Sequence, residues 1–458
     1  MERERLSSRL GFILISAGCA IGLGNVYRFP IWCGAYGGGF FLLFYLLFLL
    51  LLGLPVMTAE LAVGRGSRRS IANSFDVLEK KGQKWHLMKY LGVAGNYLLM
   101  MFYTSISGWF VMYFFKYLTG SIARLDTAQE LGDVFVRMVS RPGMNVLATV
   151  LVVAFCFGVC AIGLQKGVEK ITKVMMVALL VLIMGLSVYS CTLPGAGEGL
   201  RFYLIPSARS LWEYGVGTVI SAAMSQAFFT LSLGIGAIAI FGSYIGRDRS
   251  LLGESVTILS LDTFVALMSG LVIFPAYFTF HAGATGIPAS EAGAYFLFST
   301  LSSIFNHMAG GRLIGTLFFL FMTFAALSTV IAVFENIMSF WLEWTRLKRW
   351  QIALINLALL SVLTLPFIFS NCGGFFAQKL FLGRNFGDFE DFLVSNLALP
   401  IGSLVYVLFC TSRYGWGWDR YFEEVNAGAG RKVPAWIRPY MTYVLPLVIL
   451  AVLAMSLL

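Results

Sequence analysis

The sequence predicts an all-α polytopic membrane protein of about eleven transmembrane helices, and three observations predict it. The 458 residues are 58% hydrophobic and only 12% charged, with a mean hydropathy of +0.81, whereas soluble domains carry about twice that share of charge. Apolar runs of the ~20 residues needed to cross a ~30 Å hydrocarbon core recur from end to end. The Lys and Arg residues gather in alternate loops. A net charge of +10 distributed in this way argues against nucleic acid as a partner and for the lipid bilayer.

Each span is bounded by charge or by glycine. Span 1 is predicted over Leu10–Ala35 and ends at the Gly37-Gly38-Gly39 turn; span 2 runs over Phe40–Val63 and stops at Arg65, Arg68 and Arg69. Spans 3 (Tyr90–Leu118) and 4 (Val146–Leu164) flank a mixed-charge loop from Ser121 to Pro142. Span 5 (Ile171–Cys191) follows Lys166 and Lys170. A Gly- and Pro-bearing stretch precedes span 6 (Leu211–Phe241), and Arg247 and Arg249 separate it from span 7 (Ser255–Phe280). The semi-polar segment 281–311 is expected to hold short helices on one membrane face. Spans 8 (Leu313–Trp344), 9 (Gln351–Phe369), 10 (Phe392–Cys410) and 11 (Tyr443–Leu458) complete the chain.

The basic loops follow spans 2, 4, 6, 8 and 10, and Arg3, Arg5 and Arg9 precede span 1. The positive-inside rule therefore puts the N-terminus in the cytoplasm and, with eleven spans, the C-terminus outside. No cleavable leader is expected. The chain has no Asn-x-Ser/Thr sequon, which favours a prokaryotic plasma (inner) membrane. Of the seven cysteines, Cys156 and Cys160 lie one turn apart without a His or acidic companion. The set reads as small core residues rather than metal ligands or a disulfide framework.

Span 1 contains Gly18-Cys-Ala-Ile-Gly22-Leu-Gly24-Asn25-Val-Tyr-Arg28. Three glycines are poor helix material, and lipid cannot solvate Asn25 or Arg28. A helix broken at mid-membrane accounts for both. Span 6 carries a second such patch, Thr230-Leu-Ser232-Leu-Gly234-Ile-Gly236. Five spans separate the two, and an odd number of spans inverts the second copy. The expected organisation is two inverted five-helix repeats, 1–191 and 192–412, followed by a loop and an extra span in 413–458. Paired broken helices of this kind point to a midplane binding site; two glycine kinks at packing contacts are the other reading.

The intramembrane polar groups are few: Asn25, Thr230, Ser232, Asp262, Ser328 and Thr329, with Glu60 and Glu335. Carbonyls, hydroxyls and a carboxylate suit a hard cation such as Na⁺, and the amides of an opened helix suit a carboxylate. Taken alone, Ser328 and Thr329 also fit hydroxyls bonding back along their own helix, and Asp262 fits a protonated structural acid. Glu60 reads as a brace for the broken helices; Glu335 has no assignment. There is no phosphate loop and no catalytic set, and His86, His281 and His307 fall in loops, so no enzyme is expected.

These residues resemble the neurotransmitter:sodium symporter family in its bacterial amino-acid transporter branch. The resemblance rests on Ala20-Ile-Gly-Leu-Gly-Asn-Val-Tyr-Arg-Phe-Pro30, Gly37-Gly-Gly-Phe, Gln226-Ala-Phe-Phe-Thr-Leu-Ser-Leu-Gly234, Ser243-Tyr244 and Ala325-Ala-Leu-Ser-Thr329. It implies a sodium-coupled symporter for a neutral, hydrophobic or aromatic amino acid, working by alternating access. A first sodium site would use Ala20, Asn25, Thr230 and Asp262. A second would use Gly18, Ile21, Ala325, Ser328 and Thr329. The substrate pocket would comprise Ala20, Leu23, Gly24, Leu99, Tyr103, Phe229, Thr230, Ser232, Ile235, Thr329 and Val333, with Tyr103 and the amides of Leu23 and Gly24 on the carboxylate. Arg28 with Asp391 would form an outer gate, and Arg3 with Glu343, over Tyr244, an inner one. The family often has Trp where Leu6 stands. Tyr45, Gln226 and Thr230 match its chloride site, but Ala266 offers no donor and Asp262 brings its own charge, so chloride independence is implied. An ion channel or a membrane-embedded amino-acid sensor is the alternative, although a channel would want a continuous polar stripe and a sensor a signalling domain.

Overall fold

A computed structural model describes residues 6–281, 283–284, 286–288 and 293–457, so the predicted gate residue Arg3 lies outside the described residues. Among them the regular structure is helical, with two isolated bridges and no strand. Among the described residues nine helices are long and apolar enough to cross a membrane, or ten if a bent pair near the N-terminus is one span. The predicted count of about eleven differs through span 6, which is interrupted twice.

The first pair is α1 (Arg9–Ala20) and α2 (Gly24–Ala35), which differ in direction by 52°. Ser8 caps α1 by accepting the Gly11 amide at 3.0 Å. Ile21 leaves the helix with extended backbone, and Gly24–Arg28 resumes as a π-helical turn before Pro30. Then follow α3 (Gly39–Ser67), α4 (Trp85–Thr119), the short α5 (Ala128–Val139), α6 (Pro142–Ile162) and α7 (Leu164–Cys191).

Span 6 departs from its prediction at Gly215, not at the glycine patch that follows Thr230. Gly215 takes φ +83° and separates the helix Ala208–Tyr214 from α8 (Val216–Thr230). Residues 231–238 are turns, with Ser232 at φ +50° and Gly234 at φ +98°, before α9 (Ala239–Tyr244). Gly234 is required twice. A side chain there would be strained by its φ, and a Cβ would meet the Leu399 carbonyl oxygen at 2.2 Å. The chain continues through α10 (Leu251–Phe280), α11 (Gly311–Trp344), α12 (Arg349–Ser370), α13 (Phe386–Thr411) and α14 (Ala435–Met455). Short helical turns at Phe296–Thr300 and Leu301–His307 occupy the semi-polar segment before α11.

Of the nine long apolar helices the most enclosed is α11, whose apolar stretch is 83% buried against 28% for α14. It packs on α4, α6, α7 and α1 and so sits beside the break in the first span. Exposed Leu, Val and Ile side chains on α6, α7 and α12, such as Leu151, Val181 and Leu354, form the outward apolar surface of a multi-pass membrane protein.

The segments before span 1 and after spans 2, 4, 6, 8 and 10 meet at one end of the molecule. Ser7 donates to Glu169, and Arg9 to Glu254 at 2.9 Å. Arg65, fully buried, donates to Glu424 at 2.7 Å and to the Arg249 carbonyl at 2.6 Å, and Arg247 reaches the same Glu424. Glu343 accepts from the Ser70 amide at 2.7 Å and the Asn73 amide group at 2.9 Å.

Candidate functional site

The two breaks face each other, and their freed backbone groups can be accounted for one by one. Buried peptide groups must find partners. At the second break, Glu60 of α3 accepts from the amides of Gly234 (3.0 Å), Ile238 (3.2 Å) and Ala239 (3.4 Å). The carbonyls of that break are taken by two asparagines: Asn96 donates to Ile235 at 2.8 Å, and Asn336 to Gly236 at 3.1 Å. Glu60 thus takes the bracing role expected of it. The asparagines carried no motif, and sequence reasoning missed them.

At the first break the partners are less complete. The Leu23 amide donates to the Tyr103 hydroxyl at 2.8 Å, and the Gly22 amide to Asn25 Oδ1 at 3.3 Å. Gln226 donates to the Gly24 carbonyl at 2.7 Å, and Ser269 to the Asn25 carbonyl at 2.8 Å. Thr329 Oγ1 lies 3.0 Å from the Gly18 carbonyl, 3.3 Å from Ile21 and 3.4 Å from Ala325, while Ser328 Oγ lies 3.0 Å from Ala325. One hydroxyl hydrogen cannot serve three carbonyls. The five residues predicted for a second cation site are therefore together, as a knot of hard oxygens with too few hydrogens. That donor set fits a small monovalent cation.

A second oxygen cluster lies across the same break. Asn25 Nδ2 donates to Asp262 Oδ1 at 2.9 Å and to the Asp262 carbonyl at 3.0 Å. Asp262 Oδ2 is buried with no hydrogen-bond partner among the described residues. Tyr45 approaches Thr230 Oγ1 at 3.5 Å. An ionised carboxylate at this depth is stable only beside a cation, so an orphaned buried oxygen fits the first predicted sodium site. Ala266 is buried and supplies no donor.

Between the clusters lies a closed cavity of about 10 Å³, room for about one water molecule. Ala20, Gly24, Leu99, Tyr103, Phe229, Thr230, Ser232 and Thr329 border it, as predicted for a pocket, together with Gly22 and Leu399. Gly22 is there because nothing larger fits: a Cβ would meet Tyr103 Oη at 2.2 Å and Thr329 Oγ1 at 2.4 Å. Leu23 borders instead a larger vestibule of about 320 Å³, and Tyr103 and Phe229 border both, forming the partition. Ile235 and Val333 are buried but outside this lining; Ile235 packs against Gly95.

Above the partition, Arg28 lies 4.3 Å from the Phe229 ring centre and 4.1 Å from that of Trp32. Its Nη1 is 3.7 Å from Asp391 and donates to Ser395 at 3.0 Å, and Ser395 donates to Asp391 at 2.6 Å. The gate pair is thus bridged by a serine one turn beyond the aspartate, a spacing the sequence displayed. At the other end, Tyr244 donates to Glu335 at 2.9 Å, and Arg349 closes on the same carboxylate. This gives Glu335 the partners that sequence reasoning could not name.

The profile of the sodium:neurotransmitter symporter family matches residues 3–130 and 130–458. An uncharacterised sodium-dependent transporter of Bacillus subtilis, YhdH, is 34% identical over 405 residues, covering 88% of this chain and 86% of that protein. Another from Haemophilus influenzae is 27% identical over 466 residues, covering 98% and 97%. The crystal structure of MhsT in complex with L-phenylalanine superposes with a TM-score of 0.87 at 34% identity, covering 100% of both chains. The motifs around both breaks, the helical membrane architecture and these full-length similarities together establish that the chain belongs to the sodium:neurotransmitter symporter family, whose members are secondary transporters and not enzymes.

Proposed function

We propose that the protein imports a neutral hydrophobic or aromatic amino acid by sodium-coupled symport. The observation that carries this reading is the pair of under-satisfied oxygen clusters, Asp262 with Asn25 on one side and Thr329 with three carbonyls on the other, flanking one closed cavity. Na⁺ is cargo at both. The substrate carboxylate completes the first site through the Tyr103 hydroxyl and the amides of Leu23 and Gly24, so ion and amino acid tighten each other reciprocally. Once the cavity widens from its ~10 Å³, the side chain sits against Leu99, Phe229 and Leu399. The relative solved with L-phenylalanine supports an apolar side chain.

Alternating access follows from two partitions. Arg28, Asp391 and Ser395 close above Phe229; Glu343 and Tyr244 belong to the opposite end. The inverted repeats 1–191 and 192–412 supply the two half-broken helices, and 413–458 is an addition to them. The end where the basic loops meet faces the cytoplasm of an inner membrane, with the C-terminus outside. Sodium entry then draws on the membrane potential, about 2.3 kcal/mol per charge for each 100 mV. Chloride is not required, because Asp262 supplies the compensating charge.

The test is uptake of labelled phenylalanine into proteoliposomes with an inward Na⁺ or K⁺ gradient. Sodium-driven, potential-stimulated accumulation is expected, with loss in Thr230→Ala. Equal uptake on either gradient contradicts the proposal.

A further inference from the structure

A groove of about 570 Å³ lies on the flank of the molecule, at the end opposite the meeting of basic loops. Its walls are the last turns of α4, one face of α5 and the first three turns of α6. Three cations, Lys116, Arg137 and Arg141, stand at one end of it, and the remainder is apolar, including Phe115, Leu147 and Leu151. Those three apolar side chains are 54%, 56% and 60% exposed, so the groove opens sideways, towards lipid.

Length and charge together identify the kind of occupant. About ten residues of helix separate Arg141 from Leu151, ~15 Å at the α-helical rise, or about one leaflet of a ~30 Å hydrocarbon core. None of the three cations forms an ion pair with a carboxylate among the described residues. Arg137 Nε donates to the Asp133 carbonyl of its own helix at 3.1 Å, which leaves the rest of its fork to face outward. Arg141 and Lys116 border the same groove, like charge beside like. Like charges held together at the mouth of an apolar chute are relieved by an amphiphile whose anionic head lies among them and whose tails fill the chute.

The groove is also preformed. Asn145, buried at the elbow between α5 and α6, holds Nδ2 and its two hydrogens within reach of the carbonyls of Met138 (3.0 Å), Val139 (2.9 Å) and Arg141 (3.0 Å) and accepts from Trp109 Nε1 at 2.9 Å. The angle between two walls is therefore fixed, and tied to α4 as well. The geometry points to a binding site for one anionic phospholipid, with its phosphate among Lys116, Arg137 and Arg141 and its acyl chains along Phe115, Leu147 and Leu151. A lipid seated there braces the end of α4, the helix that carries Leu99 and Tyr103 to the central cavity.

The experiment is native mass spectrometry of the purified full chain with added dioleoylphosphatidylglycerol, dioleoylphosphatidylcholine, or glycerol phosphate without chains. Phosphatidylglycerol is expected to be retained over phosphatidylcholine by roughly tenfold or more, with no retention of glycerol phosphate. The preference should vanish in K116Q/R137Q/R141Q and fall in R137Q alone, whose exposed side chain can change without disturbing the fold. Equal retention of the two lipids, or undiminished preference in R137Q and the triple variant, overturns the proposal. Retention of glycerol phosphate as strong as that of the lipid overturns it too, in favour of a soluble anion.

Discussion

Thr329 has one hydroxyl hydrogen to share among three carbonyls, and in the proposed function this shortage is what draws a cation there. Removing the hydroxyl removes a ligand without opening much space. Thr329→Ala is expected to raise the sodium concentration needed for half-maximal phenylalanine binding by roughly tenfold, equivalent to ~1.4 kcal/mol, whereas Thr329→Ser restores it. Scintillation-proximity binding across a sodium titration reads this directly, and an unchanged midpoint in the alanine variant contradicts the assignment. Gly22 is the complementary case. Its Cβ would collide with both Tyr103 and Thr329, so Gly22→Ala should abolish binding while far-ultraviolet circular dichroism stays helical. Asn25 and Asp262 stood out in the sequence because lipid tolerates such groups only for a reason. Gly22 itself was visible merely as one glycine of three. Leu399 was invisible, since nothing in an apolar run marks which leucine will face a cavity.

At the scale of the element, a broken helix survives in a membrane only if other helices take over its peptide groups. Glu60 does so for three amides of the second break. Leaving buried donors unpaired costs about 1–3 kcal/mol each. Glu60→Ala is therefore expected to lower the thermal unfolding midpoint in detergent by several degrees, and Glu60→Gln, which keeps one acceptor oxygen, by less. A midpoint unchanged in Glu60→Ala would show that the amides have other partners. Glu60 was readable beforehand as a lone acid at the end of an apolar run. Asn96 and Asn336 were not, because their meaning depends on carbonyls a hundred residues or more away in sequence. Span 6 was predicted over Leu211–Phe241 with one break, at Thr230–Gly236; the further interruption at Gly215 was missed because hydropathy averages over it, and backbone angles carry no hydropathy.

For the whole molecule, the cavity shares Tyr103 and Phe229 with the vestibule, and Arg28 lies over Phe229. In the proposed cycle Arg28 governs that end. Asp391→Ala removes its charge partner but leaves Ser395, so substrate exchange from the vestibule side is expected to quicken while equilibrium binding persists; a slower exchange contradicts the gate. Replacing chloride by gluconate should leave uptake unchanged, since no chloride is called for where Asp262 stands; a large drop contradicts that reading. The grouping of basic loops was legible from charge alone, because each loop reports its side separately. Their joining through Arg65 and Glu424 was not, because a buried ion pair between distant segments leaves no local trace.

The central claim is that the amino acid and the first sodium ion share one site through Asp262. Phenylalanine affinity measured at rising Na⁺, at constant ionic strength made up with K⁺, tests it most directly. The account predicts affinity that climbs steeply with sodium in the wild type and a flattened, weaker response in Asp262→Ala. Affinity independent of sodium, or a variant indistinguishable from the wild type, would contradict it.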